Sequence, residues 1–176
     1  GKLMSLSNGL FITFEGIDGS GKSTQARLLF DALKSAGESV IQTREPGGST
    51  GAEIIRSLLV SGDTDRWSAE TEILLFTAAR RDHLEKTIQP ALDKNQIVIC
   101  DRYVDSTRVY QGVARADLRQ TVDDLHSIII KKEPDITFII DTDPKKSLTR
   151  GLARNSGEDR FEEFGLEFQK SLRNGF

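Results

Sequence analysis

The chain has a single cysteine, Cys100, among its 176 residues. One thiol cannot close an intrachain disulfide and has no CxxC neighbour with which to hold a metal, a pattern that fits a reducing compartment. No apolar run approaches the roughly eighteen residues of a membrane-spanning helix, and no charged-then-apolar leader precedes a cleavage site. The expectation is a cytoplasmic protein without a membrane partner. An excess of positive charge is missing too: 24 Lys and Arg against 27 Asp and Glu leave a formal net charge of −3. Bulk electrostatic binding of nucleic acid is therefore not expected. A small phosphorylated ligand stays open, because it needs only a local basic cluster. Repeats, low-complexity tracts and long linkers are absent as well. The composition, 29% charged and 37% hydrophobic, is that of an ordinary globular chain with length for one sizeable core. We expect one domain over residues 10–176 after an N-terminal extension, residues 1–9, in which residues 1–3 ahead of Met4 read as an expression remnant.

What is present is an alternation of short and long apolar segments. "LFITFE" (10–15), "SVIQT" (39–43), "IVICD" (97–101) and "ITFIID" (136–141) are short and rich in β-branched residues. They read as parallel strands buried on both faces. Residues 22–37 place Ala26, Leu29, Phe30 and Leu33 on one helical face, with Gly37 where a C-cap glycine belongs. Residues 68–94 read as helix, with Ser68 as N-cap, Glu70 and Glu72 in the first turns, and a kink or new turn at Pro90. A further helix is expected from about Leu118 to Lys132, ending before Pro134. Another opens at Asp143 and Pro144 and runs to about Ala153. In the last stretch Phe161, Phe164, Leu166 and Phe168 are candidates for a packed face.

The stretch "EGIDGSGKST" (15–24) follows the first strand and opens the first helix. Gly16, Gly21, Lys22 and Ser23 satisfy GxxxxGK[ST], the P-loop pattern. Backbone N–H groups across Gly16, Ile17, Asp18, Gly19, Ser20 and Gly21 would face nucleotide phosphates, Lys22 would neutralise the β- and γ-phosphates, and Ser23 would ligate magnesium. The bland alternative is a glycine-rich turn with a solvated lysine. GTPases, motor ATPases and small-molecule kinases share this loop, but no NKxD-type guanine-reading motif follows. Asp101 ends a hydrophobic strand, where a carboxylate approaches the magnesium shell; alternatively it caps the next helix. Arg102 reads as a phosphate ligand, or else as a surface arginine. Asp18, an acid inside an anion-binding loop, could be a turn-former.

Taken in order, "FEGIDGSGKST", "TREPGGS", "LLFTAAR", "DRYVDST" with "YQG", and "EDRFE" resemble thymidylate kinases over nearly all of residues 10–170. Those enzymes transfer the γ-phosphoryl group of ATP to dTMP, giving dTDP. The resemblance implies an α/β, three-layer P-loop kinase fold with a central parallel sheet flanked by helices, dependence on Mg2+, and a homodimer. It assigns Arg44 to the acceptor phosphate, where the alternative is a loop arginine paired with Glu45. It stacks Phe76 on thymine and sets Arg80 on the base edge, where the alternative is a core phenyl ring; the two are four apart and share a helical face. Asp101 falls beside magnesium and its waters, and Arg102 on the dTMP phosphate. Ser106, Thr107, Tyr110 and Gln111 match a segment lining the nucleoside, with Tyr110 crowding the sugar 2′ position. Tyr103 reads as a core aromatic with its hydroxyl reaching water. Asp18 would accept from the 3′-hydroxyl of dTMP, facing away from the ATP phosphates.

Gly19 stands where some family members place an arginine, so the missing cation is expected from a lid over residues 147–160. Arg150, Arg154 and Arg160 are the candidates, Arg154 first; the alternative is a solvated arginine balancing Glu158 and Asp159. The family continues past Phe176 through a strand, an adenine-contacting loop and a helix, so the adenine site is expected to be incomplete here. Two rival functions share the motifs: another nucleoside monophosphate or deoxynucleoside kinase, and a nucleotide-binding module without catalysis.

Overall fold

A computed structural model of the chain describes residues 9–17, 19–114 and 118–141, with the side chains of residues 111–114 outside that description. Four strands, β1 (Leu10–Glu15), β2 (Val40–Arg44), β3 (Ile97–Asp101) and β4 (Ile136–Ile139), form one parallel sheet in the order β2-β3-β1-β4. Each lies where the sequence pattern puts it. The expectation that all four are buried on both faces holds only for β1 and β3. β2 and β4, outermost in the described sheet, are partly exposed, because an outer strand has a neighbour on one side only.

Side chains alternate across the sheet, so each central strand feeds two cores. Phe11, Val98 and Cys100 join one, with Ile73, Leu84, Ile88, Leu118 and Val122. Ile12, Phe14, Ile97 and Ile99 join the other, against Ala26, Leu29, Phe30 and Leu33. Helices thus cover both faces, giving the three layers expected. The helices are α1 (Lys22–Ser35), α2 (Thr50–Val60), α3 (Ala69–His83), α4 (Gln89–Asp93), α5 (Val104–Ala114) and α6 (Leu118–Leu125). No described helix is long and apolar enough to cross a membrane.

Two π-helical turns, Leu84–Ile88 and His126–Ile130, continue α3 and α6. The first ends two residues before Pro90, whose missing N–H leaves the carbonyl four residues earlier without its helical donor; Gln89 N–H reaches back five residues to Leu84. Pro90 therefore sits in the first turn of the short α4. Sequence periodicity does not mark α2. Its buried stripe is Ala52, Arg56 and Leu59, so an arginine occupies a core position, and Gly51 lies near its start. Ser49 caps it, accepting from Ala52 N at 3.4 Å. The expected helix after Asp143 and the apolar face around Phe161 lie outside the described residues.

Candidate active site

Parallel pairing brings the carboxyl ends of the strands to one edge, where ligands of open α/β sheets bind. Phe14 and Arg44 both stand opposite Asp101 in register, and Glu15 is the last residue of β1. The phosphate-binding loop leaves this edge. A Cβ on Gly16 would sit 2.6 Å from the Ile140 carbonyl oxygen and 3.0 Å from Ser20 Oγ, so only glycine fits. Gly21 takes φ +92 at the N-cap of α1, with no side-chain cap. The orphan N–H groups of that first turn stay available for an anion. Ile17 is buried and its carbonyl accepts from Ser20 N at 3.1 Å, while Gly19 has φ +76. Lys22 is 5% exposed, at the first turn of α1.

Ser23 Oγ donates to Asp101 Oδ2, joining α1 to the end of β3. Asp101 Oδ1 is buried without a hydrogen-bond partner among the described residues, as is Ser20 Oγ. Unsatisfied buried oxygens are costly, and a cluster of hard oxygen donors suits Mg2+. The residues present therefore fit that ion. Capping of α5, the other role open to Asp101, falls instead to Glu15.

Beyond Asp101 a cleft of about 470 Å³, counting its open mouth, is lined by Pro46, Phe76, Arg80, Arg102, Ser106 and Tyr110 among others. With Thr107, six of the residues that the sequence assigns to the nucleotide site thus meet in one place. Arg102 has φ +73, an uncommon conformation for a residue with a side chain. Its N–H is held by the Phe14 carbonyl at 2.8 Å, and its guanidinium lies 5.3 Å from the centre of the Tyr110 ring. This cation–π contact parks a positive charge at the cleft wall, one residue from Asp101. Arg44 is not part of that lining. It pairs with Glu53 at 3.4 Å, about half exposed, and not with Glu45. Glu53 is held below the usual carboxylate range by the Gly48 N–H, 3.0 Å away, and by Arg44. Tyr103 lines the cleft from the core, edge-on to Phe11, and its hydroxyl donates to the Lys132 carbonyl at 2.8 Å instead of reaching water.

Some of the residues that support the cleft side chains, Thr43, His83, Arg56 and Glu15, carry no signal of that role in the sequence. Arg80, 3% exposed, donates from Nε to Glu45 Oε1 at 2.6 Å and from one terminal nitrogen to Thr107 Oγ1 at 2.8 Å. His83 Nδ1 lies 2.8 Å from Glu45 Oε2, and its Nε2 lies 2.7 Å from Thr43 Oγ1. Burial alone would push the Glu45 carboxyl up, but Arg80 and His83 bring it below its ordinary value. Glu45, His83 and Cys100 carry ligand-type atoms within 4.8 Å of one another. The carboxylate and imidazole are already spent in the chain Thr43–His83–Glu45–Arg80–Thr107. Arg56, inside α2, donates to the Pro46 carbonyl at 2.6 Å; burial and then the neighbouring Arg44 lower its pKa to about 10.

Glu15, 1% exposed, accepts from Tyr103 N at 3.1 Å and Ser106 Oγ at 2.6 Å on Oε1, and from Ser106 N at 3.1 Å on Oε2. Burial pushes its carboxyl up to about 7, with the Ser106 hydroxyl opposing. Ser106 thus lines the cleft with its hydroxyl hydrogen already given to Glu15. Gln111 lies on α5, but its side chain is outside the description, and Asp18, Arg154 and the whole 147–160 segment are outside the described residues.

Comparison with known proteins agrees with this geometry. The family model for thymidylate kinase matches residues 14–176. The chain is 64% identical over 168 residues to a thymidylate kinase of Ruegeria pomeroyi, covering 96% of this chain and 80% of the relative. It is 68% identical to one of Dinoroseobacter shibae, with 96% and 81% covered. The crystal structure of thymidylate kinase from Ehrlichia chaffeensis superposes with a TM-score of 0.76 at 40% identity, over 96% of this chain and 83% of that one. A phosphate loop, an oxygen-lined corner and an arginine-walled cleft on one sheet edge are thus accompanied by sequence similarity along almost the whole chain, which belongs to the thymidylate kinase family.

Proposed function

We infer that this chain transfers the γ-phosphoryl group of ATP to dTMP, giving dTDP and ADP. The observation that carries the reading is the junction at β3. Asp101 contacts the phosphate loop through Ser23, and the next residue, Arg102, lines a cleft with an aromatic and arginine wall. Donor and acceptor would therefore meet at one strand end. Such transfer asks the protein for alignment and positive charge more than for covalent chemistry.

Roles follow from position. The backbone of residues 16–21 would cradle the donor phosphates, with Lys22 on the β- and γ-phosphates. Ser23 and Asp101 would hold Mg2+, which supplies charge neutralisation between the phosphates when bound. Arg102 would hold the acceptor phosphate, with Arg44 swinging from Glu53 to join it. Phe76 would stack on the base, Arg80 would read its edge, and Tyr110 and Gln111 would border the sugar. Asp18 would take the 3′-hydroxyl and Arg154 the migrating phosphoryl group. A cytoplasmic enzyme of small-molecule substrates belongs to the same reading. So does a homodimer, supported by the exposed Ile54 and Leu58 on α2 and Leu74 on α3, two helices packed on each other.

The test is an acceptor panel of dTMP, dUMP, dCMP, dGMP and thymidine, followed by ADP release with and without magnesium. dTMP is expected to be preferred and activity to require the ion. Preference for thymidine, or activity on none of the five, would overturn the reading.

A further inference from the structure

Glu15 has no place in the chemistry just assigned, yet it is a fully buried carboxyl one residue before the phosphate loop. Its hydrogen bonds run neither to Ser23 nor to Asp101. Its partners are instead the backbone N–H of Tyr103, the backbone N–H of Ser106 and the Ser106 hydroxyl, at 3.1, 3.1 and 2.6 Å. Those groups form the entry to α5, where first-turn N–H groups lack the usual i−4 acceptor; the Ser106 N–H is shared with the Tyr103 carbonyl at 3.2 Å. A helix is ordinarily capped by a residue of its own chain end. Here the cap comes from another strand, 88 residues earlier for Tyr103 and 91 for Ser106.

What the two ends of this contact carry matters more than the capping itself. On one side, Glu15 is joined directly to Gly16, which lies so close to the Ile140 carbonyl that a Cβ would sit 2.6 Å from its oxygen. On the other, α5 presents Ser106, Thr107 and Tyr110 to the cleft; Thr107 anchors Arg80, and Tyr110 lies under Arg102. One side chain therefore ties the loop that would hold the donor to the helix that would wall the acceptor. We propose that Glu15 is a positioning residue: by accepting from the Tyr103 and Ser106 N–H groups and the Ser106 hydroxyl, it sets the distance and angle between the phosphate loop and the acceptor cleft. This rests on the phosphoryl-transfer reading above.

A positioning role and a merely structural one differ in what they move. Misalignment of two bound reactants lowers turnover while leaving each binding event intact. Glu15→Gln keeps the shape but turns an NH2 group toward a donor, so one of the three hydrogen bonds must fail. In the folded variant, kcat for dTMP is expected to fall about tenfold or more, while the Kd of a non-hydrolysable ATP analogue and of dTMP each stay within about threefold. Hydrogen exchange of the 103–106 amides is expected to quicken. Ser106→Ala removes one donor and leaves the helix, and is expected to lower kcat without raising KM for dTMP. The proposal is overturned if folded Glu15→Gln retains kcat within twofold, or if its loss of turnover matches a loss of binding. Should Glu15→Gln not fold, Ser106→Ala decides, and a raised KM at unchanged kcat overturns it. A wild-type chain inactive on dTMP would instead sink the function reading; the contact then stands or falls on amide exchange, and unchanged exchange in Glu15→Gln defeats it.

Discussion

Arg80 and Glu45 meet across 2.6 Å, both almost completely shut off from water. Taking two charges into a core is costly, and such a pair holds only when every remaining polar atom also finds a partner. Here Thr107 takes part of the guanidinium and His83 takes the other carboxylate oxygen. Burial opposes the charge on Arg80, and Glu45 more than restores it. The arginine is thereby fixed, charged, at the wall of the cleft.

Glu45→Ala should therefore leave a buried cation without its counter-ion and cost about 3–5 kcal/mol of folding stability. Urea unfolding measures this. Where the variant remains folded, KM for dTMP should rise more than kcat falls, because the freed guanidinium no longer holds its orientation in the ground state.

Asp101→Asn should act in the opposite sense on stability and activity. It removes a carboxylate with one buried oxygen unpaired, so unfolding free energy should be unchanged or slightly raised. Turnover should fall on the order of 100-fold, given the several kcal/mol that metal charge contributes to phosphoryl transfer. A magnesium titration of rate should shift its midpoint upward.

Arg154→Ala should lower kcat far more than it raises KM for dTMP, on the scale of the ~10³-fold that a transition-state arginine supplies. Lys146→Ala is the control. Equal losses in both variants would show a general effect of the segment.

Asp18→Asn should raise the Kd of dTMP and leave ATP-analogue binding nearly unchanged, as titration calorimetry with each ligand can check. The reverse pattern would place the side chain among the donor phosphates.

The pH dependence of stability should carry the mark of Glu15. Its folded value of about 7 lies above the ordinary 4.5, chiefly through burial. Ionising it therefore costs more in the folded chain than in the unfolded one. The favourable contribution is complete below 4.5 and lost as the pH rises through 7. Measured against Glu15→Gln, the wild type should lose about 3 kcal/mol over that window. A difference that stays flat with pH would show the carboxyl to be ionised at its ordinary value.

The parts legible in the sequence are those with strict local demands. The phosphate loop announces itself because Gly16 and Gly21 satisfy backbone requirements that other residues cannot. The strands show because β-branched runs end at turn residues. Phe76 and Arg80 were found as a helical pair, and the cleft does contain both. Other features depend on partners that local patterns do not reveal. Glu45 faces Arg80 and His83, 35 and 38 residues away, and not its neighbour Arg44. A charged residue in a core stripe, as Arg56 in α2, reads as surface. Ser106 lines the cleft, but only geometry shows that its hydroxyl is committed to Glu15.

The π turn at Leu84–Ile88 has a consequence for tolerated changes of length. Compared with an uninterrupted α-helix it accommodates one extra residue, and each residue advances a helix by about 100°. The widened turn absorbs that residue, so Ala91 and Leu92 beyond it keep the phase that buries them against the sheet. Deleting one residue within 84–88 should thus return the run to α-helical winding with the same face inward, whereas one further inserted residue should turn that face by about 100° toward solvent; urea unfolding of the two variants separates these outcomes.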